Sequence, residues 1–122
     1  MNDIYREHIL DLYRNPINKH VLDPSTHQDR GHNPQCGDDL QVYVYLDGDI
    51  ITATSYTGTG CAISIAAASI LSQEIQGKTI HEVENMTQHD IYDIVGLEYE
   101  PTRFKCVTLY ITTVKHMISN KY

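Results

Sequence analysis

The stretch that decides the fold runs from Gly58 to Gly77 and reads GTGCAISIAAASILSQEIQG. Positions 62–71 contain only Ala, Ile, Leu and small serines, and Ile75 extends the apolar pattern. Because a helix that is apolar on nearly all sides is buried, residues 62–76 are expected to form a central core helix. Glycines before it end the preceding segment, and Gly77 is a typical C-terminal cap.

A β-hairpin is predicted directly before this helix. Apolar and polar side chains alternate over residues 40–46, and a second such segment runs from Ile50 to Tyr56 with its Thr and Ser residues expected to face outward. Between them, Asp47-Gly48 is a strong signal for a tight hairpin turn. Upstream, residues 14–35 hold three prolines, one glycine and many polar side chains, which predicts an irregular arm.

Helices account for the rest of the chain. Apolar residues recur at helical spacing over 3–13, and Thr79-x-x-Glu82 and Thr87-x-x-Asp90 are typical helix starts. Residues 102–119 fit a strand by their β-branched content but a helix by their length, and we predict a helix. The fold class is therefore α+β, with helices against one face of a small antiparallel sheet.

Length and charge restrict the function. The chain has 122 residues, which predicts one domain over 1–122, and its formal net charge is −7. Such an acidic chain repels phosphate backbones, so nucleic acid is not an expected partner. No apolar run is long enough for a membrane span. Three cysteines, an odd number, argue against a disulfide framework and favour the reducing cytoplasm.

Each cysteine lies in a distinctive local sequence. Gly37 separates Cys36 from Asp38, so a flexible backbone can bring the thiol and the carboxyl group to one point. Cys61 lies where a glycine-rich turn enters the apolar helix, and the positive end of the helix dipole favours a thiolate there. Arg103 and Lys105 flank the helix start at Cys106, so a thiolate is also expected at this position.

Taken together, Cys36, Asp38, Cys61 and Cys106 offer three sulfurs and one oxygen. That set suits tetrahedral zinc, and it equally suits a labile iron–sulfur cluster with one weak ligand. The chain has no Cys-x-x-Cys pair, so the spacing matches neither zinc fingers nor ferredoxins. From the residues alone, the prediction is a soft-metal or sulfur site.

At these positions the chain resembles the U-type iron–sulfur scaffold family, which includes IscU, SufU and the N-terminal domain of NifU. The resemblance lies in NPQCGD at 33–38, GTGCAIS at 58–64, RFKC at 103–106 and YRNP at 13–16. It implies a three-stranded antiparallel sheet packed against helices and a long C-terminal helix. It also implies that Cys36, Asp38, Cys61 and Cys106 are the ligands of zinc or of a [2Fe–2S] cluster, with sulfur supplied by a cysteine desulfurase.

The sequence departs from the IscU branch in two places. Lys105 stands where that branch has His before its last Cys, and residues 99–103 read YEPTR instead of the chaperone-binding motif. A dedicated Hsp70 partner is therefore not expected. Arg-x-Lys-Cys resembles SufU, but Cys61 and Cys106 are only 45 positions apart, which is IscU-like spacing.

Three functions follow as hypotheses. The first is a scaffold that accepts sulfur, builds a [2Fe–2S] cluster and passes it to apo iron–sulfur proteins. The second is a zinc-dependent sulfurtransferase of the SufU type working with a SufS-like desulfurase. The third is a structural zinc domain that binds partners. Cys36 and Cys106 are the candidate sulfur acceptors, and Cys36 is favoured because its loop is expected to move.

Overall fold

A computed structural model describes residues 3–119, with side chains from residue 6 onward. Three antiparallel strands and five helices make up this part of the chain. In order they are α1 (Asp3–Arg14), β1 (His27–Asn33), β2 (Asp38–Asp47), β3 (Ile50–Thr59), α2 (Ala62–Ile75), α3 (Ile80–Glu84), α4 (Gln88–Val95) and α5 (Phe104–Ser119). The predicted α+β class, with a three-stranded sheet and a long C-terminal helix, is confirmed.

The α2 helix lies at the centre of the molecule, as its composition predicts. It packs against α5, α1, α4 and β3, and Ala67, Ala68, Leu71 and Ile75 are fully buried. Its alanines and serines allow several elements to approach its backbone closely, whereas a bulkier helix would hold them apart.

Among the described residues, none of the helices combines the length and the apolar composition that crossing a lipid bilayer requires.

The sheet corrects the prediction of an irregular arm over 14–35. Residues 27–33 form β1, which pairs with β2 at the edge of the order β1-β2-β3. Its sequence, HQDRGHN, has no apolar alternation to signal a strand. Backbone hydrogen bonds to β2 and cover from α5 hold it in place, and neither is visible in a local pattern.

The second hairpin strand also differs from its prediction. It extends through Gly58 to Thr59, and Thr54 and Ser55 are buried where outward-facing side chains were expected. Thr54 faces the core, where its hydroxyl donates to the Tyr43 carbonyl and pairs with the Tyr110 hydroxyl of α5. A partner distant in sequence therefore satisfies a polar group that would otherwise favour solvent.

The ambiguous segment 102–119 is helical, as predicted, from Phe104 to Ser119. Its strand-like threonines are accommodated because Thr108 donates to the Phe104 carbonyl and Thr113 to the Leu109 carbonyl, each at 2.8 Å. The helix crosses β1 at Gly31, where a Cβ atom would collide with the Thr113 hydroxyl oxygen. Gly31 is thus a position of close approach between β1 and α5.

Replacing Gly31 with alanine should lower the free energy of unfolding by about 1–3 kcal/mol, because the added methyl group overpacks the β1–α5 contact. Chemical denaturation measures this loss. Adding Thr113→Ala removes the colliding oxygen, so the double variant should recover part of the stability. Strictly additive losses would show that the contact between β1 and α5 is not the cause.

Candidate metal centre

Three chain segments meet at one end of α2. Cys36 lies in the turn between β1 and β2, Asp38 is the first residue of β2, and Cys61 immediately precedes α2. Cys106 lies in the first turn of α5. The β1–β2 turn is closed by a hydrogen bond from the Cys36 amide to the Asn33 carbonyl, and Gly37 has a φ of 70°, which favours glycine. The fold thus gathers all four residues that the sequence identifies.

Asp38 is the most constrained of the four, with no exposed surface. Its Oδ1 accepts a hydrogen bond from the Cys61 backbone N–H at 2.8 Å, while its Oδ2 has no hydrogen-bond partner. An unpaired buried carboxyl oxygen is costly, so such a group calls for a ligand. Asp38 therefore fixes the backbone of Cys61 with one oxygen and keeps the other without a hydrogen-bond partner.

Two sulfurs lie close to the Asp38 carboxyl group. The Cys106 thiol donates to Cys36 Sγ at 3.0 Å, and one ligand atom each of Cys36, Asp38 and Cys106 lie within 4.8 Å of one another. Cys36 is exposed, whereas Cys106 is only 5% exposed. Sulfur and carboxylate donors in this number and at this spacing could hold zinc or iron.

Cys61 completes the surroundings from the helix start. It is the N-cap of α2, and its Sγ accepts from the Ser64 backbone N–H at 3.4 Å. The positive end of the α2 dipole therefore faces this sulfur, which is half-buried. Cys61 is not in the group of three ligand atoms within 4.8 Å, but it is joined to that group through Asp38.

The prediction that neighbouring cations favour a thiolate at Cys106 is wrong for this structure. Arg103 is exposed and pairs with Glu100 at 3.4 Å, and Lys105 is exposed. Burial raises the pKa of the Cys106 thiol, and the adjacent Cys36 and Cys61 thiols and the Asp38 carboxyl group raise it further. Without a metal, the surroundings of Cys106 therefore favour its protonated thiol over the thiolate.

Sequence reasoning missed two polar residues of the site. Ser64 is 1% exposed, and its hydroxyl has no hydrogen-bond partner. The side chain of Asn33 is also buried, and its amide nitrogen has no hydrogen-bond partner either. Ser64 follows Cys61 by three positions, so it occupies the third position of α2, where a side chain can reach back to the N-cap. This position is the local feature of the sequence that could have pointed to Ser64. Asn33 looks like an ordinary turn residue before Pro34.

Comparison with known proteins agrees with this geometry. The profile of the NifU-like N terminal domain matches residues 4–121. The zinc-dependent sulfurtransferase SufU of Bacillus subtilis (strain 168) is 36% identical over 126 residues, covering 89% of this chain and 85% of that protein. The iron–sulfur cluster assembly scaffold protein IscU of Aquifex aeolicus (strain VF5) is 31% identical over 112 residues, covering 90% and 71%.

A crystal structure from Fervidobacterium islandicum AW-1 has the same fold. That chain, FiSufU, is described as a candidate iron–sulfur cluster assembly scaffold protein for the SUF system. It superimposes with a TM-score of 0.78 at 26% identity, covering 92% of this chain and 94% of its own. A three-stranded α+β domain with a sulfur-rich site thus defines the class. The chain belongs to the NifU-like N-terminal domain family.

The raised pKa of Cys106 predicts how the stability of the metal-free protein depends on pH. The protonated thiol is favoured by folding, so this contribution is intact below the thiol's unfolded pKa of about 8.5 and is lost as pH rises above it. The free energy of unfolding is measured in the presence of a metal chelator at about pH 7.5 and about pH 9.5. Over this range it should fall by about 1 kcal/mol more in the unaltered protein than in the Cys106→Ser variant.

The comparison between the two proteins isolates this one thiol. Burial also raises the pKa values of Tyr56, Tyr92 and Tyr110, but these tyrosines are common to both proteins and cancel in the difference. Parallel stability curves for the two proteins over this range would show that Cys106 is not held protonated by its surroundings.

Proposed function

We propose that this chain is a scaffold of iron–sulfur cluster assembly that accepts sulfur from a cysteine desulfurase and builds or relays a [2Fe–2S] cluster. One observation carries the proposal: the buried carboxyl group of Asp38, whose Oδ2 has no hydrogen-bond partner, has an oxygen within 4.8 Å of the Cys36 and Cys106 sulfurs. Cys36, Asp38, Cys61 and Cys106 are the proposed ligands. Three thiolates bind iron strongly, and a single carboxylate among them makes a weaker set from which a cluster can leave.

Cys36 is the favoured sulfur acceptor because it is the exposed thiol of the site. Its sulfur would attack the terminal sulfur of a persulfide on the desulfurase. A new sulfur–sulfur bond then forms on Cys36, the bond within the donor persulfide breaks, and the donor cysteine leaves as a thiolate. Cys106, whose sulfur lies 3.0 Å from that of Cys36, is only 5% exposed and is the second candidate.

A zinc-dependent sulfurtransferase is the second candidate function, and one observation favours it. Lys105, which stands where the IscU resemblance has His, is exposed. A protonated lysine does not bind metal. The SufU relative at 36% identity carries the zinc-dependent name. When bound by the same four residues, zinc would hold their sulfurs as thiolates.

A structural zinc domain is the least supported of the three hypotheses. Structural zinc sites are closed and use four strong nitrogen or sulfur ligands. Here one thiol is exposed and one ligand position is a carboxyl oxygen.

We further propose that residues 1–122 act as one scaffold domain in the cytoplasm. Its proposed partners are a SufS- or IscS-like desulfurase and apo iron–sulfur proteins, without a dedicated Hsp70.

Metal analysis of protein purified without oxygen separates these functions. For a scaffold, reconstitution with iron and sulfide should give visible absorption of a [2Fe–2S] cluster. For a sulfurtransferase, one tightly bound zinc should accompany stimulated desulfurase turnover, with no cluster formed. In either case mass spectrometry should find the transferred sulfur on Cys36. If zinc is present but no sulfur is accepted and turnover is unchanged, the structural hypothesis stands and the proposal fails.

Asp38→Asn tests the proposed carboxyl ligand and keeps the hydrogen bond from the Cys61 N–H, because the amide oxygen of asparagine can still accept it. The amide NH2 group of asparagine then takes the place of Oδ2, and this group donates hydrogen bonds and cannot bind a cation. Zinc affinity should fall at least about tenfold. A competition titration against a chromogenic chelator measures it.

Asp39→Asn is the matched control, one residue along the same strand. Asp39 pairs with Arg30 at 2.6 Å on the surface, and that pairing lowers its pKa. Exposed pairs contribute little to stability, so this variant should bind zinc as the unaltered protein does. Equal losses in the two variants would show that Asp38 acts only through the general negative charge of the region.

A further inference from the structure

Two short helices of this chain show how an N-terminus is ordinarily completed. In α3 the Thr79 hydroxyl accepts from the Glu82 amide, while the Glu82 carboxylate accepts from the Thr79 amide and hydroxyl, both at 3.2 Å. The α4 helix repeats the backbone part of this arrangement with Thr87 and Asp90. In such a capping box, the side chain at the third helical position serves the N-cap residue.

The α2 helix departs from this arrangement at the metal centre. Its N-cap, Cys61, accepts from the amide of Ser64, which occupies the third position. The amide of Cys61 instead donates to Asp38, which comes from β2. The Ser64 hydroxyl, at the place where Glu82 meets Thr79, is left without a partner although Ser64 is 1% exposed.

The surroundings of Gly60 show that this hydroxyl faces the site. A Cβ atom built on Gly60 would lie 3.1 Å from Asp38 Oδ1 and 3.4 Å from Ser64 Oγ. Both groups therefore border the same small space next to the Cys61 backbone. A buried donor without a partner, on the residue whose amide already binds the Cys61 sulfur, is available to that sulfur when it becomes anionic.

We propose that Ser64 is a positioning residue of the metal centre, whose hydroxyl donates a hydrogen bond to Cys61 Sγ in the metal-loaded state. This inference rests on the proposed function, because it requires Cys61 to be a ligand. A thiolate that binds a cation is a stronger acceptor than a thiol, so the hydroxyl gains a partner on loading. The bond holds the sulfur towards the metal and slows metal release.

Ser64→Ala tests this role, because it removes the hydroxyl and keeps the amide bond to Cys61. Zinc release to excess chelator should become roughly three- to tenfold faster, the effect of one hydrogen bond. In protein loaded with cobalt(II), the thiolate-to-metal absorption should shift. The metal-free variant should be as stable as the unaltered protein or more stable, because a buried unpaired hydroxyl has been removed.

Ser72→Ala is the matched control at the other end of the same helix. Ser72 is also fully buried, but its hydroxyl donates to the Ser69 carbonyl and accepts from Asn18. This variant should lose stability and leave zinc release and the cobalt spectrum unchanged. Such a result would separate an effect on the sulfur from a general loosening of α2.

Different failures lead to different conclusions. If the unaltered protein binds zinc and Ser64→Ala releases it at the same rate with the same cobalt spectrum, the role of Ser64 is overturned and the proposed function stands. A Ser64→Ala protein that releases zinc faster only because its metal-free form is destabilised would also overturn it. If the unaltered protein holds neither zinc nor cobalt, both the inference and the proposed metal site fail.

Discussion

The hydrogen bond from the Cys61 amide to Asp38 Oδ1 is the contact on which the site depends. It joins the first residue of β2 to the N-cap of α2, the helix around which the other elements pack. The bond is partly buried, and its loss would leave both oxygens of the buried Asp38 carboxyl group without a hydrogen-bond partner. The same bond fixes the carboxyl group that lies within 4.8 Å of the Cys36 and Cys106 sulfurs.

This construction explains how the fold tolerates a buried acidic group with an unpaired oxygen. The hydrogen bond from the Cys61 amide offsets part of the cost of burying Asp38, and a cation at Oδ2 would offset the remainder. The thiols of the site also favour a bound cation. Burial and the nearby Cys36 and Cys61 thiols raise the pKa of Cys106, so that it keeps its proton when no metal is bound. Arg103 and Lys105 remain at the surface, and Arg103 pairs there with Glu100.

Local sequence predicted the elements whose side-chain pattern matches their surroundings. The apolar α2 helix, the Asp47-Gly48 hairpin and the two capping boxes are confirmed because each depends on residues close in the chain. The polar β1 strand and the inward-facing Thr54 were missed, because backbone pairing with β2 and the hydroxyl of Tyr110 hold them. Residue patterns do not report contacts between positions so far apart.

The sequence by itself determined the number and type of the candidate ligands. Three cysteines and one aspartate, each beside a glycine or at a helix start, identified the soft-metal chemistry, and their motifs identified the family. Only the tertiary structure decided how these groups differ: an exposed Cys36, a buried Cys106 with a raised pKa, and an Asp38 shared between α2 and the site. Burial and charge proximity are properties of the assembled chain, because segments up to 70 residues apart must meet before they exist.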